Sequence, residues 1–191
     1  MKYIIRQLTC PMEVIAAQRL LHNDYRYNQK WEPRPDNPSN VRYLNGRLRD
    51  AFEDKAVWFG AYYKGEIVGC IRIITVDMEV GRYIPMPYDE TAGEINRLCI
   101  AKEHRGTSVM MLLSVHAFIW GLRNGRKTAY TTFPPKLARY YEKLGWESVL
   151  VFKYHQTDPE ERVLLSLSIG YWSFAKYAVK SIIVTVKRWF K

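Results

Sequence analysis

The chain has 191 residues, 48% hydrophobic and 25% charged, enough for one domain with a sizeable core and short for two. Its 14% aromatic content excludes disorder, and three cysteines without CxxC spacing with four scattered histidines argue against a disulfide framework or a metal site. Lysine and arginine outnumber the acids 29 to 19, giving +10, a field that favours an acidic partner: nucleic acid, an anionic membrane or an acidic protein. The N-terminus MKYIIRQLTCPME lacks a long apolar stretch followed by a cleavage site, so a cytoplasmic location is expected.

Taken in order, the chain opens with a short strand (Tyr3–Gln7), and Pro11 suits the first turn of a helix running to about Asn23. Trp31–Asn40, with three prolines, reads as a long loop of functional type. Ala56–Tyr63 and Glu66–Asp77 flank Lys64-Gly65 as a hairpin, and Met78–Thr91 is irregular. A strand at Gly93–Ile100 leads through the turn Ala101–Ser108 into Val109–Arg123, apolar on nearly every side and so a largely buried helix. A strand (Lys127–Phe133), a helix (Lys136–Leu144) and two strands (Ser148–His155, Arg162–Ile169) follow. Helices interleaved with a mixed sheet predict an α/β or α+β domain of three layers. Residues 1–55 would form an N-terminal helix and loop region, 56–169 the sheet core, and 170–191 a C-terminal helix.

The informative window is Gly93 to Gly145. A strand, a turn carrying Arg105, Gly106, Thr107 and Ser108, and an immediate helix start offer unpaired backbone N–H groups and a positive dipole end to a phosphate. A later strand, two prolines and Ala138, Tyr141, Lys143, Gly145 and Trp146 complete a pattern that resembles the GCN5-related N-acyltransferase superfamily. The resemblance implies a pantetheine site at Leu98, Cys99 and Ile100, where an extended ligand adds to a sheet edge, and at Arg105–Ser108. Ser108 and Met110 stand where that pattern has its two glycines, which favours the single phosphate of a carrier-bound phosphopantetheine over the pyrophosphate of coenzyme A.

Gly69-Cys70-Ile71-Arg72-Ile73-Ile74 and Glu94-Ile95-Asn96-Arg97-Leu98 resemble segments of the acyl-homoserine-lactone synthases, and more closely those of the N-acyl amino acid synthases. This implies transfer of a long acyl chain from acyl carrier protein, an acidic partner that suits the +10 balance better than nucleic acid does. No tightly bound cofactor is expected, since the acyl-phosphopantetheine is a substrate. Glu94 is then the candidate to take the amine proton and Tyr141 to protonate the leaving thiolate, with a salt bridge to Arg72 or Arg97 as the purely structural role for Glu94. Glu94 and Arg97 share one face only if a bulge intervenes, as the superfamily usually provides. Arg72, Arg97, Arg19 and Arg26 compete to bind the acceptor carboxylate. Trp31 and neighbouring aromatics (Tyr25, Tyr27, Tyr83) lean the acceptor toward a bulky apolar or aromatic amino acid such as tyrosine. Met110, Met111 and Phe118 could line the acyl chain or simply fill core. Cys99 and His116 lack a catalytic partner in the sequence and read as core.

In Gly170–Lys191, Lys176, Lys180, Lys187 and Lys191 fall within about 60° of helical arc. A basic amphipathic helix of this kind can lie on a membrane, dock an acidic carrier or pack on the sheet. Three rivals to the amino acid synthase stay open: an acetyl-CoA-dependent N-acetyltransferase, an acyl-homoserine-lactone synthase, and a non-catalytic basic module binding membrane or nucleic acid.

Overall fold

The protein is described here by a computed structural model covering residues 2–86 and 89–173 with Ala175 and Val179. The chain runs β1 (Ile4–Gln7), α1 (Pro11–His22), β2 (Arg42–Leu44), β3 (Arg47–Arg49), β4 (Ala56–Tyr63), β5 (Glu66–Ile74), β6 (Ala92–Ile100), α2 (Val109–Arg123), β7 (Thr128–Phe133), α3 (Pro135–Lys143), β8 (Glu147–Phe152) and β9 (Arg162–Ser168). Seven strands form one mixed sheet in the order β1-β4-β5-β6-β7-β9-β8, and β2 and β3 form a separate hairpin. The expected three-layer α/β architecture is therefore present. The basic C-terminal helix expected over Gly170–Lys191 lies mostly outside the described residues, which include residues 170–173, Ala175 and Val179 of it.

Alternation along the central strands assigns the two faces. Trp58, Cys70 and Cys99 meet Ala17 and Leu21 of α1 and Leu48 of the small hairpin. Their strand neighbours Phe59, Ile71 and Ile73 meet Val109, Leu113 and Ala117 of α2. The third cluster joins Phe118 of α2 to Ala138, Tyr141, Leu144 and Trp146 on and after α3, against Val163, Leu165 and Leu167 of β9. Every residue of α2 from Val109 to Leu122 is at least half-buried, as its all-round apolar sequence requires.

The approach of α2 to β5 depends on Gly69. A Cβ there would stand 2.9 Å from Val109 Cγ1, 3.2 Å from Leu113 Cδ1 and 3.3 Å from the Cys99 carbonyl oxygen. Gly69→Ala is expected to destabilise by about 1–3 kcal/mol, read as a lower urea midpoint with an unchanged slope.

The sequence-based elements and the structure differ most in four places. The first helix does not stop at Asn23 but widens into a π-helical turn, Asn23–Asn28, a rare form found mostly at functional sites. The β2–β3 hairpin was not anticipated, although its turn, Asn45-Gly46 with φ of 51° and 68°, is a strong two-residue hairpin signal. Strands β5 and β8 end at Ile74 and Phe152, before the expected Asp77 and His155.

Two irregularities in the sheet position the site. First, β6 and β7 run parallel and pair only at Ala92–Thr128, Gly93–Ala129 and Glu94–Tyr130. Among the described residues no further pair joins them, so β6 keeps an open edge beyond Glu94. Second, Cys70 pairs with Cys99 but Arg72 with Asn96: three steps along β6 match two along β5. That extra residue is the bulge the superfamily resemblance implies, and Arg97, at φ 53°, is its left-handed member.

Candidate active site

Arg72 stands among the uncharged, buried residues of the second half of β5, so its charge must be met internally. It is: Arg72 Nη1 donates to both oxygens of Asp50 at 2.7 Å, Nη2 to Glu79 Oε2 at 2.9 Å, and Nε to Asn96 Oδ1 at 2.8 Å. Its guanidinium also lies 5.4 Å from the Trp58 ring and 5.8 Å from the Phe52 ring. The side chain is 1% exposed, so in this arrangement it is a structural hub and not an open receptor for an acceptor carboxylate.

The bulge turns Arg97 onto the same face, where Nη2 donates to Glu79 Oε1 at 2.7 Å and to Asp50 Oδ2 at 3.0 Å. Burial works against the Arg97 charge, but Glu79 and Asp50 overcome it and hold its pKa well above the usual value. Burial would raise the Asp50 carboxyl, yet Arg72 and Arg97 bring it down to about 2. Asp50 also caps the backbone N–H of Phe52 at 3.0 Å.

Glu94 completes the group but pairs with neither arginine through a salt bridge of its own. Oε2 accepts the backbone N–H of Val80 at 3.0 Å and Oε1 accepts Asn96 Nδ2 at 3.0 Å. Burial, and then the negative charge of Glu79, raise its pKa to about 7. Asp50 and Glu79 thus pair with the two guanidiniums, and Glu94, outside those pairs, titrates near neutrality. Such a group is suited to accept and return protons at pH 7.

Aromatic residues cover this floor. Tyr25, on the π-helical turn, meets Trp31 edge-on at 5.6 Å, and Trp31 meets Tyr43 at 6.3 Å. The Tyr43 hydroxyl donates to the Trp31 carbonyl, and Arg26 lies over the Tyr43 ring at 5.5 Å. Arg26 also pairs loosely with Glu32 at 3.7 Å, and Arg19 is exposed on α1. The structure therefore gathers Arg97, Arg26 and Trp31 on one side of the sheet, with Arg97 nearest the carboxyls.

On the donor side, Gly106 takes φ +77° with open space around it, and Thr107 Oγ1 donates to the His104 carbonyl at 2.6 Å. Ser108 is exposed immediately before α2. Arg105 is drawn back: Nε donates to the Ile100 carbonyl at 3.0 Å, and Nη2 pairs with Asp24 of the π-helical turn. Tyr141 is buried, stacks on Phe133 with centroids 4.1 Å apart, and its hydroxyl donates to Met110 Sδ at 3.8 Å. That contact sets the Tyr141 hydroxyl beside the first turn of α2. Phe118 is 4% exposed within the α3-side core, while Met110 and Met111 are half-buried.

Comparison with known proteins agrees with this geometry. A model of the Acetyltransferase (GNAT) family matches residues 17–146. The chain belongs to this family. It is accordingly an N-acyltransferase.

Among solved structures, the GNAT protein is similar in fold to the CoA-dependent acyl-homoserine lactone synthase BjaI, solved with SAM and isopentyl-CoA: TM-score 0.74, 14% identity, covering 94% of this chain and 90% of that one. The AHL synthase LasI gives 0.67 at 15% identity, covering 92% and 94%. FeeM, an N-acyl amino acid synthase from uncultured soil microbes, gives 0.65 at 16%, covering 90% and 92%. No curated protein matches the sequence.

Sequence reasoning named Arg72, Glu94 and Arg97 in this GNAT site but missed the two acids that neutralise the arginines. Asp50 follows the overlooked Asn45-Gly46 hairpin, and Glu79 sits in a stretch read only as irregular. A buried arginine among the uncharged residues of a strand was itself a signal that such acids exist. Cys70 and Cys99, opposed across β5 and β6, are buried with their thiol pKa values raised by burial, Cys70 to about 12. Neither is poised as a nucleophile.

Proposed function

We propose that this GNAT protein is an N-acyl amino acid synthase that moves a long-chain acyl group from acyl carrier protein to the amine of an amino acid. The observation that carries this reading is Glu94: a buried carboxyl with a pKa near 7, on the last residue pairing β6 with β7, bonded to the Asn96 side chain that also accepts from Arg72. The pantetheine arm would extend along the open edge of β6 at Leu98–Ile100. Its phosphate would rest at Arg105–Ser108 and the start of α2. Glu94 takes the amine proton through a water, the amine attacks the thioester carbonyl, and Tyr141 returns a proton to the departing thiolate. Arg97, flanked by Arg26 and Arg19, supplies the charge for the acceptor carboxylate, and Met110, Met111 and Phe118 border the acyl chain.

A carrier donor is supported by Ser108 and Met110 at the phosphate turn and by the +10 charge. An apolar or aromatic acceptor is supported by Tyr25, Trp31 and Tyr43. No helix among the described residues is long and apolar enough to cross a membrane. A lipid-like product and the basic run from Gly170 to Lys191 support cytoplasmic work with peripheral membrane contact.

The test is thiol release followed with a thiol reagent. Dodecanoyl carrier protein should lose its acyl group only when amino acids are added, without S-adenosylmethionine and faster than dodecanoyl-CoA or acetyl-CoA. Preferential turnover of acetyl-CoA would replace this reading with an ordinary acetyltransferase, and a requirement for S-adenosylmethionine would replace it with a lactone synthase. Tyr141→Phe keeps the stack on Phe133 and removes the hydroxyl, with its proton and its weak contact to Met110 Sδ. Its kcat is expected to fall about 10²-fold, with donor KM and urea midpoint little changed.

A further inference from the structure

Glu79 and Tyr83 lie on or beside one short helical turn, Glu79–Arg82, whose Val80 N–H binds Glu94. The Tyr83 ring meets the Tyr154 ring at 4.6 Å, and Tyr154 meets Phe152 at 5.1 Å. The Tyr154 hydroxyl shares a 2.6 Å hydrogen bond with Thr132 Oγ1. Thr132 sits on β7 two residues past Tyr130, where pairing with β6 has already ended. A continuous path therefore runs from the Glu94 carboxyl through the Val80 turn and two tyrosine rings to the open side of β7. This is a second aromatic wall, built from different segments than Tyr25, Trp31 and Tyr43.

Arg97 is common to both walls. Burial raises the phenol pKa of Tyr25, Tyr43, Tyr83 and Tyr154, and the Arg97 charge pulls each of them back down. The geometric link to Tyr154 runs through the turn: Arg97 Nη2 bonds Glu79 Oε1 at 2.7 Å, Tyr83 ends the turn that Glu79 begins, and the Tyr154 ring meets the Tyr83 ring. An amino acid anchored on Arg97 would extend its side chain toward the Tyr83–Tyr154 wall. Nothing in the catalytic steps requires Tyr154, yet its ring is fixed at three points: Tyr83, Phe152 and Thr132.

Resting on the synthase reading, we infer that Tyr154, anchored by Thr132, is a specificity-determining residue whose ring packs on the side chain of the acceptor amino acid and selects bulky apolar acceptors over small ones. Its hydroxyl fixes the ring and takes no part in the chemistry.

The test offers dodecanoyl carrier protein with phenylalanine and alanine as competing acceptors, the products being separated by mass. Wild-type protein should favour phenylalanine by at least about tenfold in kcat/KM. Tyr154→Ala should erase most of that ratio while alanine is still acylated, and Tyr154→Phe, which keeps the ring, should stay within about threefold of wild type. Should Tyr154→Ala fail to fold, Tyr154→Leu carries the same comparison. An unchanged phenylalanine-to-alanine ratio in the alanine or leucine variant overturns the inference and leaves the synthase reading intact. A wild-type protein that acylates neither amino acid removes the synthase reading and this inference together.

Discussion

Asp50→Asn is expected to cost about 3–5 kcal/mol of folding stability. Asp50 is the carboxylate shared by Arg72 and Arg97, at 2.7 Å and 3.0 Å, and its side chain is 1% exposed. The amide keeps the volume and can still accept the Phe52 N–H, but it leaves two buried guanidiniums with Glu79 as their main counter-charge. The effect should depend on pH in a definite direction. The Asp50 pKa is lowered from 3.8 unfolded to about 2 folded. Its ionisation therefore stabilises fully above pH 3.8, by roughly 2 kcal/mol, and that contribution is lost as the pH falls toward 2. Urea midpoints should separate wild type from Asp50→Asn widely at pH 6 and much less at pH 2. A difference below about 1 kcal/mol at pH 6 would mean that the arginines find other partners.

Glu94→Gln should lower kcat/KM by 10²- to 10⁴-fold, the range of a lost general base. The base works only when deprotonated. Wild-type kcat/KM should therefore rise about tenfold per pH unit below 7 and level off above it, because burial and Glu79 raise the Glu94 pKa to about 7. In Glu94→Gln the break near 7 should vanish, leaving a low rate that follows only the free-amine fraction of the acceptor and keeps rising to the pKa of the amino group itself. Unchanged circular dichroism would separate this loss from unfolding. Retention of more than a tenth of the wild-type rate would transfer the proton-accepting role to another group.

The sequence carried the sheet well because its central strands are long, rich in β-branched and aromatic residues, and marked by clear turns. Lys64-Gly65 takes φ values of 51° and 85°, as a two-residue hairpin requires. The same rule applied to Asn45-Gly46 would have revealed the small hairpin, but its strands are only three residues each and rich in arginine, so no apolar alternation drew attention to them. With that hairpin missed, Asp50 was missed too. The shared face of Glu94 and Arg97 was legible only conditionally. Period-two alternation puts them on opposite faces, and a bulge shows itself in pairing, which no local pattern reports. Tyr154 was invisible for a related reason. Its partners Thr132 and Tyr83 come from separate segments, and only the fold brings the three together.

Transfer of an acyl group from a carrier thioester to the amine of an amino acid leaves a product that can be weighed. Purified protein is incubated with dodecanoyl carrier protein and a pool of amino acids, and the products are identified by mass spectrometry. A dodecanoyl amino acid is expected, falling to a trace when Glu94→Gln replaces the wild-type protein. Acetylated product from acetyl-CoA with no dodecanoyl amino acid from the carrier donor would contradict the synthase reading.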